Sequence, residues 1–308
     1  MKILIELPTW LGDSVMTTPA IENIMHHFNK SEITLVGSKI SIEALSLHPK
    51  VFETQMLHKN YIALFRFTRE MGRCDAFFSF RSSLRSQILK FFIISHNKFQ
   101  FDKTKYINQH QVEKYNSFVN DSLKLCSSPG PLVLHQKKNI FKGNRKLLGI
   151  NPGATYGSAK RWYPEEFAKV ASKLSNEFDI LIFGSDNEKD IAKDIVKLLV
   201  SDGVNNFKNL SGNTSISELI GEISQLDLFI TGDSGPMHIA ASFNIPTISI
   251  FGPTNNSETS QWMNKKSINI KKNLACQPCM KRVCPLGHHD CMKLIKSKDV
   301  LKAVESIQ

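Results

Sequence analysis

The sequence predicts an α/β protein made of two Rossmann-like, doubly wound domains. Three observations predict it. The chain has 308 residues, long for one hydrophobic core and suited to two of about 150 residues each. Short apolar runs alternate with helical patterns. Polar, glycine-bearing loops fall directly after several of those runs. Apolar residues make up 41% of the chain and charged residues 22%, which sets aside disordered and fibrous classes.

The first domain is expected over residues 1–140. Residues 2–7 read as a strand, and with a carboxylate at Glu6 and no small-residue cleavage site they do not read as a signal peptide. The turn-rich Pro8-Thr9-Trp10-Leu11-Gly12-Asp13 follows. Next comes a helical stretch in which Ala20, Ile21, Ile24, Met25 and Phe28 recur at helical spacing behind Pro19. Residues 33–37 and 76–80 read as further strands. Between residues 81 and 115, Arg81, Arg85, Lys90, Lys98, Lys103 and Lys105 alternate with Phe91, Phe92, Phe99, Phe101 and Tyr106. One reading is a sheet-flanking helix and strand; the other is a basic rim that meets a phosphorylated or membrane-held substrate. Ser127-Ser128-Pro129-Gly130-Pro131 and the polar, basic stretch 136–146 put a linker near residues 128–145.

The second domain, residues 141–308, restarts the alternation. Strands are expected at 147–151, 180–184, 206–210, 228–231 and 247–251. Helices are expected at 164–178, 188–199 and 215–224, the last behind the capping pair Ser215 and Glu218. The longest apolar run, residues 91–94, is far short of the ~20 residues that a spanning helix requires. The net charge of +11 favours an anionic partner: nucleic acid, a membrane surface or a phosphorylated substrate. Cys74 and Cys126 are isolated, whereas Cys276, Cys279, Cys284 and Cys291 crowd together. A reducing compartment is expected, and with it free thiols.

Ligands of an open α/β sheet lie at the carboxyl ends of its strands, and four loops there stand out. In Thr231-Gly232-Asp233-Ser234-Gly235-Pro236-Met237-His238, small residues open a helix whose free amides suit a phosphate. Asp233 fits either an N-cap or a contact to a sugar or ribose hydroxyl. His238 fits either a phosphate contact or a structural role. The loop Asn151-Pro152-Gly153-Ala154-Thr155 offers amides and a hydroxyl, and Lys160 beyond it suits a pyrophosphate leaving group unless it is a surface charge. The Gly184-Ser185-Asp186 loop is the third. In Trp10-Leu11-Gly12-Asp13-Ser14, Gly12 permits close approach of a ligand and Asp13 fits a general base, with a helix cap as the alternative.

At these loops the chain resembles the ADP-heptose:lipopolysaccharide heptosyltransferases, glycosyltransferase family nine. The resemblance rests on Pro8-Thr9-Trp10-Leu11-Gly12-Asp13-Ser14-Val15-Met16, Asn151-Pro152-Gly153-Ala154, Ala159-Lys160-Arg161-Trp162, Gly232-Asp233-Ser234-Gly235-Pro236-Met237-His238 and Phe251-Gly252-Pro253-Thr254. It covers nearly the whole chain, and the cysteine-rich stretch 276–292 resembles the heptosyltransferase II branch in particular. It implies a GT-B fold, with a lipopolysaccharide inner-core acceptor on the N-terminal domain and ADP-L-glycero-D-manno-heptose on the C-terminal domain. The last helix is a candidate to pack back on the first domain.

The resemblance also implies inversion without metal or cofactor. Asp13 would act as base and Lys160 would offset leaving-group charge, with Gly12 and Ser14 on the acceptor side. Thr155, Asp186, Asp233, Ser234, Gly235 and His238 would hold the donor, with Glu188 a rival to Asp186 for the ribose or adenine. The expected setting is cytoplasmic, peripheral on the inner face of the inner membrane, with no nucleic-acid partner. Two alternatives stand beside this reading: a heptosyltransferase with a different acceptor, and a zinc-bearing basic nucleic-acid-binding protein. The second draws on the C-x2-C-x4-C-x6-C spacing, with His288 and His289 adjacent. Buried thiols in a compact loop are the competing reading of those cysteines.

Overall fold

In the computed structural model, which describes residues 1–58, 60–136 and 143–307, the chain divides into two units, Met1–Lys137 and Lys138–Gln308. The first contains, in order, β1 (Lys2–Glu6), α1 (Leu11–Met16), α2 (Thr18–His27), β2 (Glu32–Gly37), α3 (Lys39–Leu45) and β3 (Val51–Met56). It continues with α4 (Tyr61–Met71), β4 (Arg73–Ser79), α5 (Leu84–Phe92), β5 (Ile94–Gln100) and α6 (Gln111–Leu123). The strands are all parallel, in the order β3-β2-β1-β4-β5. Central β1 is apolar on both faces because helices cover both, and it buries every residue after Lys2. On one face Leu4, Val36 and Phe77 pack under Leu64 and Phe67 of α4 and Leu89 of α5.

The second unit contains β6 (Lys146–Asn151), α7 (Pro164–Leu174), β7 (Phe178–Ile182), α8 (Lys189–Ser201), β8 (Phe207–Asn209), α9 (Ile216–Ile223) and β9 (Leu228–Gly232). After these come α10 (Gly235–Ser242), β10 (Thr247–Phe251), α11 (Asn256–Thr259), β11 (Ser267–Lys271), α12 (Asp290–Lys293) and α13 (Ser297–Ile307). Its sheet is parallel in the order β11-β10-β9-β6-β7-β8. Ile150, Ile182, Ile230 and Ile248 meet Phe167, Val170, Ile195 and Val300 in one core. Helix α13 lies on α7, β10 and β11 of its own unit.

The eight expected strands are present, and β3, β5 and β11 are added at or near the sheet edges. Edge strands bury one face, so a sequence such as Val51-Phe52-Glu53-Thr54-Gln55-Met56 carries no continuous apolar run. The loosened stretch after residue 81 contains α5 and β5. The helix expected over 164–178 stops at Leu174, and Phe178 begins β7. The expected boundary at 140/141 lies outside the described residues, as does part of the expected linker. Its first part is not a free linker: the Ser127 carbonyl accepts from Asn116 and Asn120 of α6, and the Val133 amide donates to the Thr18 hydroxyl at 3.0 Å. Leu132 and Leu134 are buried.

Packing is tight against Gly149 of β6, where a Cβ would meet Leu226 and come within 2.8 Å of Phe229 and 3.0 Å of Phe183. Gly149→Ala is therefore expected to destabilise the second unit by about 1–3 kcal/mol through overpacking. A urea titration should show a lower midpoint with an unchanged slope; an unchanged midpoint would contradict this packing.

Candidate active site

The order of the second sheet reverses between β6 and β9, which pair in register at Asn151 and Thr231. At such a switch point the two following loops diverge and leave a crevice. Asn151 stitches the loops together, its side-chain amide donating to the Gly153 carbonyl at 3.3 Å, Thr231 Oγ1 at 3.4 Å and Ser234 Oγ at 3.3 Å. Ser234 is the N-cap of α10 but makes no side-chain capping bond. Its hydroxyl pairs instead with Thr231 Oγ1 at 3.1 Å. Gly235 is the first helical residue and Pro236 the second, so the opening turn offers the Ser234 and Gly235 amides, and the proline, which lacks an N–H, leaves none unsatisfied at its own position.

Because Ser234 holds the cap position, Asp233 does not. The Asp233 carboxylate accepts from Lys160 Nζ at 2.6 Å and from Thr254 Oγ1 at 2.7 Å through the same oxygen. Lys160 also reaches the Asp233 carbonyl at 3.3 Å. Lys160 is thus no surface charge: the two side chains are 13% and 5% exposed. Lys160 Nζ lies 4.7 Å from the centre of the Tyr156 ring, and the Arg282 guanidinium lies 5.4 Å from it. Both are cation–π distances. The Tyr156 hydroxyl donates to the Met280 carbonyl at 2.7 Å, and the Ala159 amide donates to the Arg282 carbonyl at 3.0 Å. Gly157 allows this approach, since a Cβ there would run into the Arg282 carbonyl.

Of the other expected donor residues, Thr155 is exposed, and Asp186 faces solvent in an ion pair with Lys189 at 2.6 Å. Its rival Glu188 is turned inward. Glu188 accepts from the Ser185 amide and hydroxyl at 2.7 and 2.8 Å and fills the space beside Gly153. His238 is buried one turn into α10.

The first sheet reverses between β1 and β4, where Glu6 pairs with Ser79. Asp13 is not in a loop. It sits in the first turn of the short helix α1, and the N-cap of α2, the helix that carries Ile21 and Ile24, is Thr17, so the capping role expected as an alternative is not the one it has. Tyr115, buried on α6, donates to Asp13 Oδ1 at 3.4 Å. Burial, and then the Asp13 charge, hold the Tyr115 hydroxyl well above its usual pKa. Gly12 is half-buried in the same turn. Ser14 is fully buried, donating to the Pro8 and Trp10 carbonyls at 3.1 and 3.0 Å. Its hydroxyl shapes the turn and does not face a ligand.

Tyr156, Arg282 and Tyr115 were not singled out from the sequence. Thr254 could have been, because it ends a Gly-Pro-Thr turn directly after β10. Nothing local marks Arg282, which arrives from more than a hundred residues away.

Comparison with known proteins now decides the family. The family model described as glycosyltransferase family 9 (heptosyltransferase) matches residues 64–289. This chain belongs to that family. It is 39% identical over 316 residues to the lipooligosaccharide heptosyltransferase 2 of Campylobacter jejuni serotype O:2, covering 100% of this chain and 98% of that one. Among solved structures, that of Escherichia coli ADP-heptose lps heptosyltransferase II superposes with a TM-score of 0.82 at 22% identity, covering 100% and 98% of the two chains. The structure of E. coli heptosyltransferase WaaC with ADP gives a TM-score of 0.76 at 16% identity over 100% of both. The chain is a heptosyltransferase with the GT-B fold.

The heptosyltransferase chain carries its cysteine-rich stretch against the Tyr156 loop. His289 Nε2 must donate to the Ala159 carbonyl at 2.9 Å, which leaves Nδ1 to accept from Tyr163 at 3.2 Å. Among the described residues, no group of three or more His, Cys, Asp or Glu side chains is arranged to hold a metal ion. The buried-thiol reading describes Cys291 alone; Cys276, Cys279 and Cys284 are half-exposed. Burial and the neighbouring cysteines push the Cys291 thiol up to about 11, whereas backbone amides, that of His289 foremost, lower Cys284. Thiolate fraction governs alkylation, so iodoacetamide at pH 8 should label Cys284 first and Cys291 last. Peptide mass spectrometry reads the order; uniform protection of all four would instead indicate a bound metal.

Proposed function

We propose that this heptosyltransferase moves heptose from ADP-L-glycero-D-manno-heptose to the first heptose of a lipopolysaccharide inner core, with inversion and without a metal. The observation that carries the reading is Lys160, held by Asp233, itself fixed by Thr254, beside the α10 N-terminus at the β6/β9 switch point. A diphosphate there would meet one cation and the Ser234 and Gly235 amides, the two features that stabilise charge on a departing phosphate. The C. jejuni relative, a heptosyltransferase, supports the sugar, and the two E. coli proteins, one an ADP-heptose enzyme and the other solved with ADP, support the nucleotide. No Asp-x-Asp pair occurs in the sequence, and Lys160 can take the role a divalent cation would have.

On the other domain, Asp13 stands at the corresponding switch point. The acceptor hydroxyl attacks the anomeric carbon as its proton passes to the Asp13 carboxylate, and ADP leaves from the opposite face. The Tyr115 hydroxyl engages Oδ1, which orients the carboxylate. Residues 1–140 then serve the acceptor and 141–308 the donor. The acceptor is held by a membrane lipid, so the protein works as a peripheral enzyme on the cytoplasmic face of the inner membrane. No helix among the described residues is long and apolar enough to cross a membrane. The excess of positive charge concentrates the enzyme near an anionic surface.

Incubation with ADP-heptose and a truncated core bearing one heptose, with EDTA present, should release ADP and add one heptose. No ADP release would overturn the reading of the reaction, and loss of activity only with EDTA would overturn metal independence. Asp13→Asn should lower kcat by about 10²–10⁴ with circular dichroism unchanged. Near-normal turnover would remove Asp13 from the base role.

A further inference from the structure

The acceptor-domain switch point holds a second group of charges besides Asp13. Glu6 ends β1 and is fully buried. Its Oε2 accepts from the Ser79 hydroxyl at 2.6 Å, and its Oε1 accepts from Ser86 at 2.9 Å and from the Arg81 guanidinium at 3.5 Å. Burial pushes the Glu6 carboxyl up against the pull of these donors and of Arg85. The Arg81 backbone is fixed as well, its amide donating to Ser79 Oγ at 3.3 Å and its carbonyl accepting from Gln100 at 3.2 Å.

Arg85 adds a second guanidinium to the same spot. It faces Arg81, Glu6 and Tyr61, and burial together with the Arg81 charge holds it below the usual arginine range. It donates to the His58 carbonyl, and its Nε is buried with no hydrogen-bond partner among the described residues. Arg85 also lies in the first turn of α5, which carries no acidic residue. A cation there opposes the helix dipole. Two guanidiniums and a helix N-terminus thus face one buried carboxylate, and the surplus is positive. A purely structural ion pair would need Arg81 alone.

We propose that Arg81 and Arg85 form an oxyanion-binding subsite for a phosphate or carboxylate group of the acceptor, with Glu6 as the positioning residue that aims Arg81. The subsite rests on the reading of the first unit as the acceptor domain. Its place relative to the base follows from the chain. The Phe80 amide is bonded to the Glu6 carbonyl at 2.9 Å, and the Phe80 ring packs edge-on against Tyr115 at 5.5 Å. Tyr115 in turn donates to Asp13. An acceptor anchored by its anionic group on the arginines would therefore present a neighbouring hydroxyl towards Asp13. Guanidinium suits this task because its planar fork matches both oxyanions in a bidentate pair.

Arg85→Gln and Arg81→Lys test the proposal, the first because Arg85 makes no bond to buried Glu6 and the second because it keeps the charge over it. Four heptose acceptors are compared with ADP-heptose saturating: one with a neighbouring phosphate, one with a neighbouring carboxylate, and each with that group removed or esterified. Loss of a charge-assisted bidentate pair should raise KM for the matching anionic acceptor about tenfold in Arg85→Gln. KM for the neutral acceptors and the calorimetric affinity for ADP should not move. Whichever anionic arm loses its advantage identifies the group. Equal effects on anionic and neutral acceptors, or a fall in kcat alone, would overturn the subsite. Inactivity of the wild type with all four acceptors would overturn the reaction instead. The subsite is then read by thermal denaturation in inorganic phosphate, which should raise Tm of the wild type more than that of Arg85→Gln. Equal rises would overturn it.

Discussion

One contact organises the second domain: the 2.6 Å pair of Lys160 and Asp233. It ties the loop after β6 to the loop after β9 across the switch point, and Thr254 brings in the loop after β10 through the same carboxylate oxygen. A nearly buried ion pair is a poor source of net stability, because desolvation opposes the Coulomb gain. Retention of such a pair makes physical sense when one partner has a second state to serve. Under the proposed function, a diphosphate would offer Lys160 a second partner in competition with Asp233.

The first domain solves a similar problem with the same signs. There the deeply buried group is a carboxylate, Glu6, and the groups nearer to solvent are cations. Each domain thus stores a charge at the end of its central strand and uses it to set the direction of a more accessible partner. The two Rossmann units share strand order around the switch point, yet one sets a lysine beside a helix N-terminus and the other sets a carboxylate beside two arginines. The fold supplies the place, and only the side chains differ.

The central strands were legible in the sequence because parallel strands covered on both faces are buried throughout and carry short, uncharged, largely apolar runs, as Leu228–Gly232 and Thr247–Phe251 do. The strand-end loops were legible because glycine, small residues and an early proline mark a helix start. The edge strand Ser267–Lys271 escaped because none of its residues is fully buried and its sequence mixes polar with apolar residues. Asp13 was read as a loop residue because Pro8 and Gly12 suggest a turn. A six-residue helix leaves no periodic signal, and Thr17 ends it before Pro19 starts the next. The partners of Lys160 were hidden for another reason. Tyr156 is unremarkable until the Met280 carbonyl fixes its hydroxyl, and that contact spans 124 positions.

That long span has a consequence for the order in which the protein is made. The loop around Gly157 takes its shape from the carbonyls of Met280 and Arg282, which leave the ribosome well over a hundred residues later. At synthesis rates of about 5–20 residues per second, the nascent chain spends several seconds with its first domain already emerged while this loop still lacks its scaffold. Contacts of such separation form late and slowly. The half of the enzyme that contains Lys160 is therefore the last to mature, and a chain released early keeps Asp13 and its tyrosine but never completes the cradle opposite them in function.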